Sequence, residues 1–392
     1  TFTPDGQKVV VANEGEPNED YSEDPEGSVS IIDLSQGIAQ ATVKTADFRA
    51  FNGKELDDSV RIFGLNASVA QDLEPEYVAV AKDSKTAWVT LQENNALAVV
   101  DLDAAQVVDI VGLGFKDHGL AENALDPSNK DKDIRIKPYA NLFGVYQPDA
   151  IAAYEVNGET FLITSNEGDS RVRPTGDDEI PGVEEGDIFN EESRIGKLDL
   201  DPTVFPDAAA LQDEAVLGRL KVMNNMGDID GDGDYDALYA FGARSFSIWN
   251  SAGELVFDSG KDLEMRTAAV YPDDFNSTND ENGSFDDRSD DKGPEPEGVT
   301  VGQIGDRHYA FIGLERVGGV MVYDVTNPVA PSFVTYANAR DFAGDAEAGT
   351  AGDLGPEGLL FIPATDSPNG ENLLVVTNEV SGSTSIFQIM GE

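Results

Sequence analysis

Cysteine is absent from the 392 residues, and histidine occurs only twice, as His118 and His308. The first absence excludes disulfides, thiolate metal sites and a cysteine nucleophile. The second argues against a histidine-built zinc centre, so any metal is expected to be held by oxygen, which points to calcium or magnesium. Basic residues are scarce too: 26 Lys and Arg stand against 75 Asp and Glu, for a net charge of −49. Such a surface repels a phosphate backbone, which argues against nucleic acid as a partner, and it attracts divalent cations. The same excess fits the acidic, salt-screened coat of a secreted protein, and the two readings are compatible. No apolar run approaches the ~20 residues of a membrane span. No Gly-x-Ser-x-Gly elbow is present and neither histidine has a triad context, so acyl-transfer chemistry has no support.

What the chain does have is a repeated phrase. Leu-Leu-Val-Val-Thr-Asn-Glu (373–379) reappears as Val-Val-Val-Ala-Asn-Glu (9–14), Trp-Val-Thr-Leu-Gln-Glu (88–93), Phe-Leu-Ile-Thr-Ser-Asn-Glu (161–167) and Ala-Phe-Ile-Gly-Leu-Glu (310–315). Each is a short apolar strand that ends in a carboxylate. A proline followed by an acid recurs ahead of it, at Glu76, Asp149, Glu297 and Glu357. Six repeat units are visible, near 1–34, 74–102, 147–167, 220–260, 295–325 and 355–389, each with short strands in meander order. A strand run this short cannot bury its face alone, so neighbouring units must stack or close into a ring. Helical periodicity is almost absent apart from a short candidate at 208–216. The expected fold is all-β: a single β-propeller over 1–392 with short four-stranded antiparallel blades, seven or eight blades fitting a complete ring, and long acidic loop insertions near 113–146, 168–192 and 272–291. Thr1 opens in mid-phrase, so the first blade is expected to start after its first strand, with an upstream segment preceding it.

Asp228-Ile-Asp230-Gly-Asp232-Gly-Asp-Tyr-Asp236 is the most specific local motif. Alternate carboxylates wrap an oxygen-loving cation while glycine takes the sharp bend, so calcium is expected on Asp228, Asp230, Asp232 and Asp236. Position twelve is Tyr239 rather than the bidentate Glu of a helix-loop-helix site, and the residues after it are strand-like. Asp126, Ser128, Asn129, Asp131 and Asp133 form a looser loop of the same kind, for which a solvated polar turn is an equal reading. The acid runs 14–26 and 273–291 could also bind cations, but charge runs of this kind read first as solvated surface.

In a propeller, corresponding blade positions return at one height around the axis. Glu76, Asp149, Glu297 and Glu357 form one such set, and Glu14, Glu93, Glu167, Glu315 and Glu379 the other. Crowded carboxylates require cations. One reading has them lock blades together by pairing with Arg171, Arg244 and Arg316. The other makes the channel mouth a metal site in which these arginines grip an anionic oxygen, the pairing that binds and polarises a phosphate ester.

The phrases Leu-Glu-Arg-Val-Gly-Gly-Val-Met-Val-Tyr-Asp (314–324), Gly-Pro-Glu-Pro-Glu-Gly-Val (293–299), Tyr-Ala-Phe-Gly-Ala-Arg-Ser-Phe-Ser-Ile-Trp (239–249) and Thr-Asn-Glu-Val-Ser-Gly (377–382) resemble the choice-of-anchor I family. These are secreted or surface-anchored bacterial β-propellers, similar to mesenchyme cell-surface glycoproteins and to atypical alkaline phosphatases. The resemblance implies a secreted or cell-surface location, extracellular or periplasmic. Two functional expectations stand side by side. One is a calcium-containing metal-dependent phosphoesterase, with room for a second divalent or trivalent metal in the channel and phosphate esters as substrates. The other is a non-catalytic calcium-stabilised module that binds protein, surface glycans or mineral.

Overall fold

The computed structural model describes residues 1–18, 20–173 and 189–390. The middle of the 168–192 insertion, and Glu19 of the first acidic loop, lie outside the described residues.

Five meander sheets follow one another along the chain as the blades of a β-propeller. The first holds Lys8–Asn13, Ser28–Asp33 and Thr42–Asp47; the second Pro75–Val80, Thr86–Leu91, Ala96–Asp101 and Gln106–Gly112. The third holds Ile151–Val156, Glu159–Asn166, Ser245–Asn250 and Leu255–Asp258; the fourth Pro296–Ile304, Arg307–Leu314, Val320–Asp324 and Ser332–Ala337; the fifth Pro356–Ile362, Asn372–Asn378 and Ser383–Ile389. All pairings within these sheets are antiparallel. By the glutamate that follows it, Glu14, Lys8–Asn13 matches the second strand of the other blades, and Pro75–Val80 of the second blade packs beside it.

The alternation of side chains along each strand explains how the blades stack. In Thr86–Leu91, Ala87, Val89 and Leu91 join an apolar cluster with Val10, Val29 and Ile31 of the first blade, while Trp88 between them faces Ile151, Leu162 and Trp249 of the third. In Arg307–Leu314, Ala310, Ile312 and Leu314 pack against Ile163, Phe246 and Ile248, and Phe311 turns to Leu359, Leu374 and Val376 of the fifth blade. Each seam is therefore a dry two-sided layer, and each large side chain within it contributes about 1.5–3 kcal/mol of burial. Asn157 and Gly158, with φ of 54° and 85°, make the tight hairpin that opens the third blade.

The repeat units read at 147–167 and 220–260 are redistributed by this topology. Ser245–Asn250 pairs with Glu159–Asn166, so these strands complete the third blade after an intervening insertion. Leu238–Phe241 belongs elsewhere, to a five-stranded sheet in the order Glu192–Arg194, Lys221–Met223, Leu238–Phe241, Leu142–Val145, Phe115–Asp117. The excursion 113–146 and the residues after Asn166 thus meet in one module, with its own core of Leu125, Leu142, Ile195, Leu220 and Leu238. A helix forms at Ala208–Leu211, as the pattern suggested; another, Asp262–Val270, has a weakly apolar sequence and was not apparent. The 272–291 excursion is not the solvated run expected: Phe275, Asn276, Ser277, Asn279, Ser284, Asp286, Ser289 and Asp290 are buried.

Candidate metal and anion site at the channel mouth

Every blade that has an innermost strand begins it with a residue-Pro-acid turn, and the ladder is irregular there in the second, fourth and fifth blades. The residue before proline is driven into the left-handed region in three of them: Gln147 at φ 41°, Glu295 at 48° and Gly355 at 69°. Its carbonyl then accepts an N–H from the end of the next strand, of Gly168, Glu315 and Glu379 respectively, at 3.1, 2.9 and 2.8 Å. This closes a loop in which the proline-acid residue and the strand-end carboxylate lie at the same end of the blade. Gly298 follows Glu297 because the carbonyl of Glu357 in the next blade leaves no room for a Cβ.

The two sets of acids converge as their repeat positions suggest. Glu297 lies within electrostatic reach of Glu167, Glu315, Asp149 and Glu379; Glu76 of Glu93, Asp149 and Glu14; Asp149 of Glu167 and Glu357. Glu14, Glu357 and Glu379, on the first and last blades, are exposed; Glu93 and Glu315 are buried; Glu76, Asp149, Glu167 and Glu297 are half-buried. Burial and then the neighbouring acids push Asp149 and Glu315 up to about 8 and Glu297 up to about 11. Glu76 is driven well above the usual carboxylate range for the same reasons, and Glu93 and Glu167 are raised against the pull of Arg171 and Lys292. Glu76 Oε2, Glu93 Oε2 and Glu297 Oε2 are buried with no hydrogen-bond partner among the described residues.

One side of this ring is charge-compensated by residues that no local motif announces. Glu295, fully buried, takes Arg288 Nε at 2.7 Å, Arg316 Nε at 2.9 Å and Lys292 Nζ at 3.4 Å. Burial alone would raise its pKa, but Lys292, Arg288 and Arg316 outweigh it and hold Glu295 down at about 2. Lys292 also contacts Glu167 at 2.6 Å, and Arg316 contacts Glu315 at 3.1 Å. Asn279 and Gln92 donate to Glu315 and Glu167 at 2.8 and 3.1 Å. Glu167, Glu295 and Glu315 each bring an oxygen within 4.8 Å of the others.

The three arginines expected as anion clamps have separate surroundings. Arg316 stands at the mouth with its side chain one-quarter exposed. Arg171 is buried against Asp72 at 2.5 Å and Glu74 at 2.8 Å, with its guanidinium over the Phe63 ring. Arg244 is buried too, holding Glu264 at 2.7 Å and the carbonyls of Asp126, Ser289 and Asp291 at 2.6, 2.7 and 2.8 Å. Arg171 and Arg244 are thus held in buried ion pairs, Arg171 with its Nε unpartnered and Glu93 of the ring within its electrostatic reach, whereas Arg316 and the unforeseen Lys292 touch the carboxylate group directly.

In the 228–236 turn, oxygens of Asp228, Asp230 and Asp236 lie within 4.8 Å of one another at the surface. Gly231 and Gly233 take φ of 79° and 102°, and their N–H groups donate to Asp228 at 2.7 and 3.1 Å. Asp232 is not part of that group. Instead Asp201, which the bridge between Leu200 and Tyr235 brings alongside, forms a second group with Asp234 and Asp236. Among the described residues, the channel and turn groupings offer only oxygen donors, which suits a hard cation. His118 is buried, with Nδ1 against the Asn123 carbonyl at 2.6 Å, and His308 packs on Tyr154.

A β-propeller with carboxylates gathered at one end of its innermost strands is the class that fold and site define. The chain belongs to the choice-of-anchor I domain family, which matches residues 1–328. It is 33% identical over 193 residues to Gigasin-3a of Magallana gigas, a match covering 46% of this chain and 68% of that protein. It is 28% identical over 286 residues to the mesenchyme-specific cell surface glycoprotein of Strongylocentrotus purpuratus, covering 65% of this chain but only 35% of the glycoprotein. Among solved structures, the periplasmic gluconolactonase PpgL of Pseudomonas aeruginosa shares 11% identity, with 99% of this chain and 79% of that one covered at a TM-score of 0.37. A functionally unknown protein of Desulfotomaculum acetoxidans reaches the same TM-score at 9% identity, covering 99% of this chain and 67% of that one. Both likenesses are too distant to speak to function. No helix among the described residues is long and apolar enough to cross a membrane.

Proposed function

We propose that the chain is a secreted or cell-surface cation-binding propeller whose channel mouth holds a divalent cation on Glu76, Glu93, Asp149, Glu167 and Glu297 and presents it to an anionic oxygen ligand. The observation that carries this reading is the set of unpartnered buried oxygens on Glu76, Glu93 and Glu297, in a ring where acids outnumber bases. A bound cation would neutralise that ring and polarise an oxygen of a phosphate ester, the chemistry of a metal-dependent phosphomonoesterase. Arg316, one-quarter exposed, is the positive group this reading assigns to orient such an anion, with Lys292 already bound to Glu167, Glu295 and the Gly168 carbonyl; the role is narrower than the three-arginine clamp the sequence suggested. Calcium in the 228–236 turn has a structural role in this reading, with Asp201 added to the ligand set. The cell-surface name of the sea-urchin relative fits the same location.

The non-catalytic reading, a surface module that binds protein, glycan or mineral, is favoured by one observation: Arg171 and Arg244 are already engaged in buried ion pairs. Two measurements separate the readings. Equilibrium dialysis of EDTA-treated protein with calcium or manganese should show one bound ion fewer in the Glu76→Gln/Glu297→Gln variant; an unchanged number sinks the channel site. Hydrolysis of a generic phosphomonoester by metal-loaded protein should disappear in Arg316→Ala protein that remains folded. Absence of any hydrolysis in the wild type selects the non-catalytic module.

A further inference from the structure

Away from the channel, the seam between the 113–146 and 272–291 excursions holds a second group of buried acids. Asp126 is fully buried; its N–H donates to Glu264 Oε2 at 3.3 Å and its carbonyl accepts Arg244 at 2.6 Å. Its Oδ2 accepts the Arg135 N–H at 2.5 Å, which folds the 126–135 turn back on itself. That fold brings Asp131, with its side chain only 2% exposed, within electrostatic reach of Asp126. From the other side comes Asp286, 1% exposed and at φ 71°, its N–H bound to the Phe275 carbonyl at 2.8 Å. The Ser289 hydroxyl donates to Asp286 Oδ1 at 2.5 Å, and Asp286 Oδ2 is left with no partner among the described residues. Asp126, Asp131 and Glu264 are the acids within electrostatic reach of it.

The positive charges here do not balance the negative ones. Arg244 is paired with Glu264, and Arg135, half exposed, shares itself between Asp131 and Asp133 at 3.3 Å each. Asp126 and Asp286 therefore have no cation of their own. Asn129 Oδ1 is a further buried oxygen without a donor. A proton on one carboxyl would remove one charge and supply a single O–H donor, whereas one hard cation accepts oxygens from several of these groups at once.

We infer that a calcium-class divalent cation binds between the 126–131 turn and Asp286, ligated by oxygens of Asp126, Asn129, Asp131 and Asp286, and clamps the inserted module onto the propeller. Asp133, exposed and turned to Arg135, takes no part. Binding draws the turn and Asp286 together and lowers amide exchange in both.

The test uses the whole chain, stripped with EDTA and dialysed against graded calcium, with bound metal counted per chain. Asp286→Asn and, separately, Asp131→Asn each bind one calcium fewer than wild type, and calcium no longer slows amide exchange at 126–135. Asp131→Asn leaves the Ser289 and Phe275 bonds of Asp286 intact, so it decides the matter if Asp286→Asn does not fold. The wild-type number of bound ions in a folded Asp131→Asn protein overturns the proposal. So does calcium-independent exchange at 126–135 in the wild type. Because neither residue lies in the channel or in the 228–236 turn, failure here is distinguishable from failure of the sites proposed above.

Discussion

At the channel mouth, Glu295 is fully buried with Arg288, Arg316 and Lys292 within 3.4 Å, whereas in the 228–236 turn Asp228, Asp230 and Asp236 crowd together at the surface with backbone amides as their partners. Two like charges 4 Å apart cost about 1 kcal/mol in water and about 4 kcal/mol where the effective dielectric constant is 20. Salt screens the first pair far more than the second. Crowding therefore costs less in the surface turn than at the buried mouth. The mouth must pair them with bases, protonate them, or bind a cation, and it pairs one side while leaving Glu76, Glu93 and Glu297 with unmatched oxygens.

The largest expected effect separates buried scaffolding from the mouth itself. Arg244→Ala strands Glu264 and three carbonyls in the interior and should cost about 3–5 kcal/mol. Arg316→Ala opens a partly exposed site that water can enter, and its cost should be smaller. Urea unfolding measures both; an Arg244→Ala midpoint equal to wild type would remove the distinction drawn between the two arginines.

The pH dependence sharpens the contrast between the two sides of the ring. Asp149 and Glu315 are raised to about 8 in the fold, so between their unfolded values near 4 and pH 8 the folded protein binds more protons than the unfolded chain. Stability in EDTA should fall as pH rises through that window. Glu297, at about 11, extends the loss to higher pH. Glu295 behaves oppositely: its contribution is complete above pH 4.5 and is lost as pH falls toward 2. Adding a divalent cation should flatten the alkaline slope by stabilising the ionised ring. Melting temperatures from pH 5 to pH 9, with and without calcium, test this, and a slope that calcium does not alter would argue against a cation in the channel.

These charges also show how far the sequence could be read. The strand-end acids were legible because a glutamate recurs at the end of an apolar strand, and a repeated position in a ring fixes where a side chain points. Lys292, Arg288 and Glu295 were not, because their meeting with Glu167 depends on a loop that returns to the mouth 125 positions later in the chain. The burial of Arg244 was hidden for a related reason: its carbonyl partners come from 118 residues before it and 45 and 47 after, so nothing local marks it as buried. The blade at 151–258 looked like two units because Asn166 and Ser245, paired in one ladder, are separated by the inserted module. Asp201 carried no signal at all; only the Leu200 to Tyr235 bridge brings it to the calcium turn.

The smallest effect is expected in the surface turn, and Asp236 is the residue on which to look for it. Its carboxylate is common to the Asp228/Asp230 group and the Asp201/Asp234 group, so Asp236→Asn weakens both at once. An asparagine oxygen can still accept the Ile229 N–H that Asp236 Oδ2 holds at 2.8 Å, so the turn keeps its shape. Acid crowding contributes to the upward shifts of Asp230 and of Asp234, the latter to about 6 after burial, and removing one charge relieves it. In EDTA the variant should therefore melt at or slightly above the wild-type temperature. In calcium, the wild type should gain about 2–4 °C for each kcal/mol of binding energy linked to folding, and the variant should lose the part of that gain belonging to this turn. Scanning calorimetry at fixed pH with and without calcium reads both numbers. An identical calcium shift in the two proteins would mean that the turn is only a solvated acidic surface.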